Sequence, residues 1–448
     1  MKFKAHLAFA FTAVGCGVAF LLVVFGTLKF AESGGDSWRV GDWLINYSGG
    51  FVRRGLFGAL LHGLARGLQL APMSTIYIVL WTQVGLWLAF VSASLFLLRR
   101  NLASGWWGAA LVCACPATLW FEAYHQNGFR KELLGLVLLA FAAVWMNLRP
   151  TRAEATLRVA TWASVPIVLC HEANLVFLPF LFALAPPEAM QRKAFFKLLL
   201  PLVLVVFAFA LTVLVPSDQS TVEGIVDSWR GLVPGRSFGE KGGGAIRALG
   251  GNTEAAIYGV LRRINSEKYD YMGKYGRAAL FILSAFALQI GLWRKLSSSI
   301  RAVGLAVLGS LLTLSLMVVA LDWGRILYML ASAWMVVLLS QASGEPWPGE
   351  NRLLRFARNA LALGAGAATL AWSLPISSQD LDDGLVCRVT AEFRQLSRPD
   401  FCPRLPSPAL RRRVRPQNTS RAQQVNTTLP RARPAERSAD DGSAVPRD

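Results

Sequence analysis

Charge is scarce in this chain of 448 residues: 16% of them are charged and 54% hydrophobic. A soluble domain carries about a quarter charged residues, so the deficit argues against an ordinary water-solvated globule. Acid is scarcer than base, with 27 Asp and Glu against 46 Lys and Arg and a net charge of +19. With only four histidines, and no second one four residues after His171, a multi-histidine metal site has no material. There is no C-x-x-C pair, no P-loop and no G-x-S-x-G elbow. Thiol redox chemistry, ATP hydrolysis and esterase chemistry therefore lack their usual hardware.

What the chain does have is apolar runs of bilayer length. About eleven can be drawn: Leu7–Leu28, Ile76–Leu98, Trp106–Phe121, Leu133–Leu148, Ala160–Cys170, Leu175–Ala185, Leu198–Val215, Ala278–Trp293, Ala302–Leu321, Ile326–Leu339 and Ala360–Leu374. The expected fold is an all-α integral membrane bundle over residues 1–376, with outer loops at 29–75 and 217–276. A short extracytoplasmic segment (377–402) and a disordered basic tail (403–448) follow. Lys2 and Lys4 precede an apolar run too long for a signal-peptide core, which reads as a retained anchor with a cytoplasmic N-terminus. Arginines and lysines at 99–100, 149–158, 192–197, 294–301 and 352–358 then fall on the cytoplasmic side. That placement accounts for the positive charge without nucleic acid. Cys16, Cys113, Cys115 and Cys170 lie in apolar segments as small core residues. An extracytoplasmic location would allow Cys387 and Cys402 to pair.

The topology turns on residues 159–185, whose apolar run is interrupted by His171, Glu172 and Asn174. One long helix would flip every later loop and place three basic clusters outside. Two short segments turning at His171 keep them inside and spare the membrane a buried His and Glu. The hairpin is the expected arrangement, although arms of about eleven residues span a bilayer poorly.

With the hairpin, four polar clusters converge on the outer face. The first is the loop Asp36-Ser-Trp-Arg-Val-Gly-Asp42-Trp-Leu-Ile-Asn-Tyr-Ser-Gly-Gly-Phe-Val-Arg53-Arg54-Gly-Leu-Phe-Gly58. Its continuation shows helical spacing, with Leu56, Leu60, Leu64 and Leu68 on one side and Arg54, Gly58, His62 and Arg66 on another. This predicts an interfacial amphipathic helix with its basic stripe toward water, headgroups or a ligand; the plainer role is a surface anchor. Asp36 and Asp42 suit a general base or divalent-ion ligands, or equally ion pairs with Arg39, Arg53 or Arg54. The second cluster, Glu122 to Glu132, offers Arg130 and Lys131 to phosphate oxygens, or forms a solvated turn with an Arg/Glu pair. His171 and Glu172 are either a proton-transfer or diphosphate site or a buried hydrogen-bonded pair. Asp322 and Arg325 form the fourth, or only a local ion pair.

The run from Asp42 to Leu56, with Arg130-Lys131-Glu132 and His171-Glu172, looks like uncharacterised membrane proteins of bacterial surface-polysaccharide clusters. An acidic first outer loop holding an amphipathic helix, about eleven spans and a large later outer loop together resemble the multi-spanning GT-C-type glycosyltransferases. The first loop lacks the adjacent acidic pair of the commonest pattern, so a divalent cation stays open. The resemblance implies a polyprenyl-phosphate-linked sugar as substrate, used on the outer side of a bacterial inner membrane. Asp42 or Asp36 would be the catalytic base, with Glu172 in reserve. Arg53, Arg54, Arg130 and Arg325 would hold phosphate, with His62, Lys131, His171 and Asp322 completing the substrate-binding set. Partners are then the lipid-linked sugar and membrane lipids. A transporter or flippase of an anionic or lipid-linked substrate is the alternative, and an assembly partner a third.

Overall fold

A computed structural model describes residues 2–103, 129–240, 243–251, 253–265, 300–320 and 322–341, short pieces within 113–124 and 273–282, and the dipeptides 372–373 and 382–383. Those two dipeptides form a minimal antiparallel pair, and helices dominate the other described residues. The main helices are α1 (Lys2–Glu32), α2 (Arg39–Leu44), α3 (Gly55–Gly67), α4 (Pro72–Ala103), α5 (Glu132–Leu148), α6 (Ala153–Cys170), α7 (Phe177–Leu184), α8 (Arg192–Leu214), α9 (Gln219–Trp229), α10 (Thr253–Ile264), α11 (Ile300–Ser315) and α12 (Trp323–Gln341).

Six helical stretches among the described residues are long and apolar enough to cross a membrane, and the shorter Glu132–Leu148 and Glu172–Leu184 are also apolar. The helix satisfies its own backbone, which is why long apolar runs adopt it in lipid. The chain is an all-α, membrane-embedded protein. Eight of the eleven expected spans coincide with these stretches. The expected spans Trp106–Phe121, Ala278–Trp293 and Ala360–Leu374 fall wholly or largely outside the described residues, as do Cys387, Cys402, segment 377–402 and the tail.

The apolar run over 159–185 breaks at His171. α6 ends at Cys170, His171 is extended (φ −164°, ψ 120°), and a 3₁₀ turn over Glu172–Val176 leads into α7. After α7, the turn Pro187–Met190 lies back against α6. Lys197, near the start of α8, meets Glu154, near the start of α6, at 2.8 Å. Helices α6 and α8 therefore start at the same end, and α7 must return between them. This is the expected hairpin. Its first arm is 21 residues counted from Pro150, not eleven, and is long enough to span, while the second, Glu172–Leu184, stays short.

Lipid tails are as apolar as leucine, so helix association in a bilayer rests on close packing. A Cβ on Gly309 of α11 would sit 2.6 Å from the Phe180 ring, and one on Gly135 would sit 2.3 Å from Phe177. At the end remote from His171, Asn101 Nδ2 donates to the Leu339 carbonyl (2.6 Å) and Asn147 Nδ2 to Ser340 Oγ (2.8 Å). These bonds tie α4 and α5 to the last turns of α12.

A second apolar cluster sits beside the bundle, joining Val40, Trp43, Leu44 and Ile45 to Val222, Ile225, Val226 and Trp229. The 217–276 loop thus folds in part as short helices against the first loop. Trp229 Nε1 donates to the Leu44 carbonyl at 2.7 Å, and Asn46 Nδ2 to Ser228 Oγ at 2.9 Å. The Gly49-Gly50 turn is needed here: a Cβ on Gly49 would stand 2.1 Å from the Thr221 carbonyl oxygen.

Helix α3 forms where the leucine spacing places it, and the side that packs on the protein is the one carrying Gly58. Gly55, Gly58, Leu61 and Ala65 are buried, while Leu60, Leu64 and Leu68 are exposed. The basic side does not present a continuous stripe outward, because Gly58 lets α3 approach the Ile45 carbonyl directly. A Cβ at Gly58 would come within 2.0 Å of that oxygen. Arg53 precedes the helix, in the turn that leads into it.

Candidate functional site

Charged side chains from five elements meet at the His171 end of the bundle. Asp42 comes from α2, Arg54 from the turn before α3, and Arg130 and Lys131 from the approach to α5. Glu132 opens α5, His171 and Glu172 come from the hairpin turn, and Asp322 and Arg325 stand at the start of α12. Helix ends collect polar groups because their first amides and last carbonyls lack partners within the helix. Here those ends are gathered by Asn174. Its Oδ1 accepts from the Gly135 amide (3.2 Å), while Nδ2 faces the carbonyls of Lys131 (3.3 Å) and Ile167 (3.2 Å).

Arg54 is the hub. Its Nε lies 3.0 Å from both Glu172 carboxylate oxygens and its Nη2 2.5 Å from Oε1, a fork-on-fork pair. Its Nη1 is 3.6 Å from Asp42 Oδ1. Its carbonyl accepts from Lys131 Nζ at 2.6 Å. The backbone of Arg54 is left-handed (φ 68°, ψ 12°), costing about 1–2 kcal/mol for a residue with a Cβ. Such strain persists only where surrounding contacts over-determine it. Lys131 and Glu172 supply those contacts.

Asp42 is fully buried, and among the described residues neither of its oxygens has a hydrogen-bond donor. Arg130 Nη1 is 4.0 Å away, held in place by a bond to the Trp38 carbonyl. Burial by itself would raise the Asp42 pKa. The combined charge of Lys131, Arg130, His171 and Arg54 outweighs it and holds the carboxyl well below the usual range. Burial pushes Lys131 down to about 8 against the pull of Asp42. Burial also pushes His171 down to about 4, helped by the charge of Arg54. His171 is therefore neutral near pH 7. Its Nδ1 accepts from the Ala173 amide (3.2 Å), leaving the proton on Nε2, 3.3 Å from Glu132 Oε1. Arg325 reaches the same Glu132 oxygen at 3.5 Å and Asp322 at 3.5 Å.

Arg53 differs from its neighbours. It is half-buried and makes no hydrogen bond or ion pair among the described residues, whereas Arg54, Arg130 and Arg325 each face a carboxylate. Two expected site residues lie apart from the cluster's contacts. Asp36 Oδ1 accepts from the amides of Trp38 (2.7 Å) and Arg39 (2.6 Å), closing the turn into α2. His62 Nε2 pairs with the Ser228 carbonyl at 3.1 Å, its ring edge-on to Trp229, and so joins α3 to α9. Residues 125–128, in the middle of the Glu122–Glu132 stretch, fall outside the described residues.

No known protein family matches this chain, and no curated protein or solved structure matches it either. The chemistry must be read from the cluster. Among the described residues, no group of three or more His, Cys, Asp or Glu is arranged to hold a metal ion. Asp42, Glu132 and Glu172 all face guanidinium groups, so a divalent cation would have to displace them. The donor set does not fit a metal. It fits an anion instead: five cations (Arg53, Arg54, Arg130, Lys131 and Arg325) stand against Asp42, Glu132, Glu172 and Asp322, and burial pushes Glu122 up to about 8.

Sequence reasoning missed three contributors. Asn174 registered only as an interruption of an apolar run, and Glu132 only as the end of a polar stretch. Trp43, whose Nε1 donates to the Phe129 carbonyl at 2.9 Å, fixes Asp42 against the approach to α5. An indole N–H next to an aspartate carries no spacing signal that would have singled it out.

Proposed function

We propose that this protein is an integral-membrane glycosyltransferase or polysaccharide polymerase that uses a polyprenyl-phosphate-linked sugar on the outer face of a bacterial inner membrane. One observation carries the reading. A buried carboxylate without donors, Asp42, is enclosed by Arg54, Arg130 and Lys131, with unpaired Arg53 beside them.

The arrangement suits a phosphorylated lipid. Arg53 makes no hydrogen bond or ion pair among the described residues and takes the phosphate first, and Arg130 and Lys131 approach it from the α5 side. Exposed Leu60, Leu64 and Leu68 give α3 an apolar flank, an interfacial helix along which a lipid tail can pass while its phosphate stays at headgroup depth. Phosphate binding also changes Asp42. With its proton affinity suppressed by four neighbours, Asp42 is a weak base in the free protein. Phosphate oxygens on those cations quench their field, and the carboxylate regains the affinity needed to take a proton from an acceptor hydroxyl. Glu172 is the weaker candidate for base because both its oxygens are engaged by Arg54. The cluster joins helix ends rather than helix middles, which favours this reading over a transporter with a midplane site.

Purified protein in lipid, supplied with a polyprenyl-linked sugar, tests the proposal. Asp42→Asn abolishes product while membrane insertion is retained. Normal product from that variant removes Asp42 from the chemistry, and counterflow of unmodified substrate without product identifies a transporter. A reporter fused after residue 190 should read as cytoplasmic; a periplasmic signal would place the cluster on the wrong face.

A further inference from the structure

Twelve buried side-chain polar atoms lack a hydrogen-bond partner among the described residues, and nine of them belong to one neighbourhood. These are both oxygens of Asp42, Glu122 Oε2, Glu132 Oε2, Arg130 Nε, Arg325 Nε, His171 Nε2, Tyr328 Oη and Ser332 Oγ. Native proteins leave few such atoms, and a concentration of them marks a place where something else supplies the bonds.

The outer part of this group is the cluster already described. The inner part runs along α12, where Arg325, Tyr328 and Ser332 are spaced i, i+3 and i+7 and share one face. Tyr328 stacks on Phe121 (ring centroids 4.4 Å apart, 13° between planes), which brings the adjacent Glu122 alongside. Glu132 joins the two parts through Arg325 at 3.5 Å. Tyr328 and Ser332 are fully buried. Ser332 is the informative residue. The buried hydroxyls of Ser94, Thr161, Ser164 and Thr313 all donate to the carbonyl four residues back in their own helices. Ser332 Oγ does not, and is left without a partner in the buried face.

The balance of donors and acceptors identifies the ligand chemistry. A phosphate brings acceptors only, so it can meet Arg130, Arg325 and the two hydroxyls but leaves the Glu132 carboxylate unmet. A hydroxyl both donates and accepts, and several on one ring can meet carboxylate, guanidinium and hydroxyl together. We infer that the buried polar face formed by Glu122, Glu132, Arg325, Tyr328 and Ser332 is a binding site for the hydroxyls of an uncharged sugar. It lies beyond the anion site and reaches down α12 as far as Ser332. Below it Ala333, Met335, Val336, Val337, Leu338 and Leu339 are buried and apolar, so the site is blind. The inference takes the phosphate position from the proposed function but depends on different residues.

The test uses the full-length protein in lipid nanodiscs, so that no sugar-headed detergent competes. The probes are a series of neutral hexoses, N-acetylhexosamines and pentoses, with glycerol as the open-chain control and inorganic pyrophosphate as the anion. Thermal unfolding and titration calorimetry are read for each. At least one neutral sugar should raise Tm and bind with a saturable heat, where glycerol at the same concentration does neither. Tyr328→Phe combined with Ser332→Ala should weaken that sugar at least tenfold and leave the pyrophosphate shift unchanged. Ser332→Ala alone, which removes one oxygen, guards against misfolding of the double variant and should weaken the sugar measurably. No shift from any sugar, or equal shifts in wild type and variants, overturns the inner site and leaves the anion reading standing. A sugar shift without a pyrophosphate shift does the reverse.

Discussion

Adjacent arginines with opposite duties offer the sharpest test of the cluster. Arg54 is bound on three sides, by Glu172, Asp42 and the Lys131 ammonium on its carbonyl, whereas Arg53 has no partner among the described residues. Arg54→Gln strands Glu172, only 15% exposed, and takes a cation from fully buried Asp42. Breaking a buried pair costs about 3–5 kcal/mol. The Arg54 side chain keeps 23% of its surface exposed, so solvent screening places the loss near the lower end, about 3 kcal/mol. Arg53→Gln removes no internal bond and should change stability by no more than about 0.5 kcal/mol. On a phosphate the order reverses. A free guanidinium contributes a charge-assisted bond of about 1.5–3 kcal/mol, so Arg53→Gln weakens pyrophosphate by roughly 10- to 100-fold. Thermal unfolding and titration calorimetry of the two variants, in the same lipid and buffer, measure both quantities. Wild-type affinity in Arg53→Gln, or a wild-type melting temperature in Arg54→Gln, would refute the division of labour.

Anion binding should weaken above pH 8. Burial holds Lys131 at about 8, so rising pH removes a positive charge from the anion site, and Glu122, farther in and lifted by burial to about 8, gains a negative charge over the same range. Stability has the same sign at Glu122: its folded pKa is raised, so its contribution is complete below the ordinary carboxylate range and lost as pH rises through 8. A pyrophosphate affinity that stays flat from pH 7 to 9.5 contradicts this. The glycines of α3 should respond in opposite directions. Gly58→Ala drives a Cβ into the Ile45 carbonyl and costs about 1–3 kcal/mol. Gly63→Ala has open space and gains about 1 kcal/mol of helix propensity. Paired thermal melts check both, and equal shifts would mean that α3 does not lie against Ile45.

Much of the architecture follows from local chemistry. Apolar runs of bilayer length with internally satisfied backbones can only be helices, so eight expected spans coincide with helical stretches despite end errors of several residues. The hairpin at His171 was legible because a His-Glu pair in a greasy run must face something polar, and because lysines and arginines report sidedness. The leucine spacing after Arg54 located α3. It could not tell which side of α3 would be covered, since that depends on whether another chain segment or lipid meets it. The contact between Gly58 and Ile45 settled the matter, and amphipathic spacing carries no information about such an approach.

The same division holds at the site. Composition and order along the chain were enough to nominate Asp42, Arg53, Arg54, Arg130, Lys131, His171, Glu172, Asp322 and Arg325, because charge behind an apolar span needs a reason. Which charges neutralise one another is a matter of distances of 3–4 Å between residues more than a hundred positions apart, as for Arg54 and Glu172. Only the tertiary structure separates a bound arginine from one with no ion pair among the described residues, assigns Asp36 and His62 to holding turns and helices, and reveals Tyr328 and Ser332 as buried hydroxyls on one face of α12. Apolar patterning is a one-dimensional property, read by a solvent that meets every residue alike. Partnership between polar groups is three-dimensional, and no spacing along the chain encodes it.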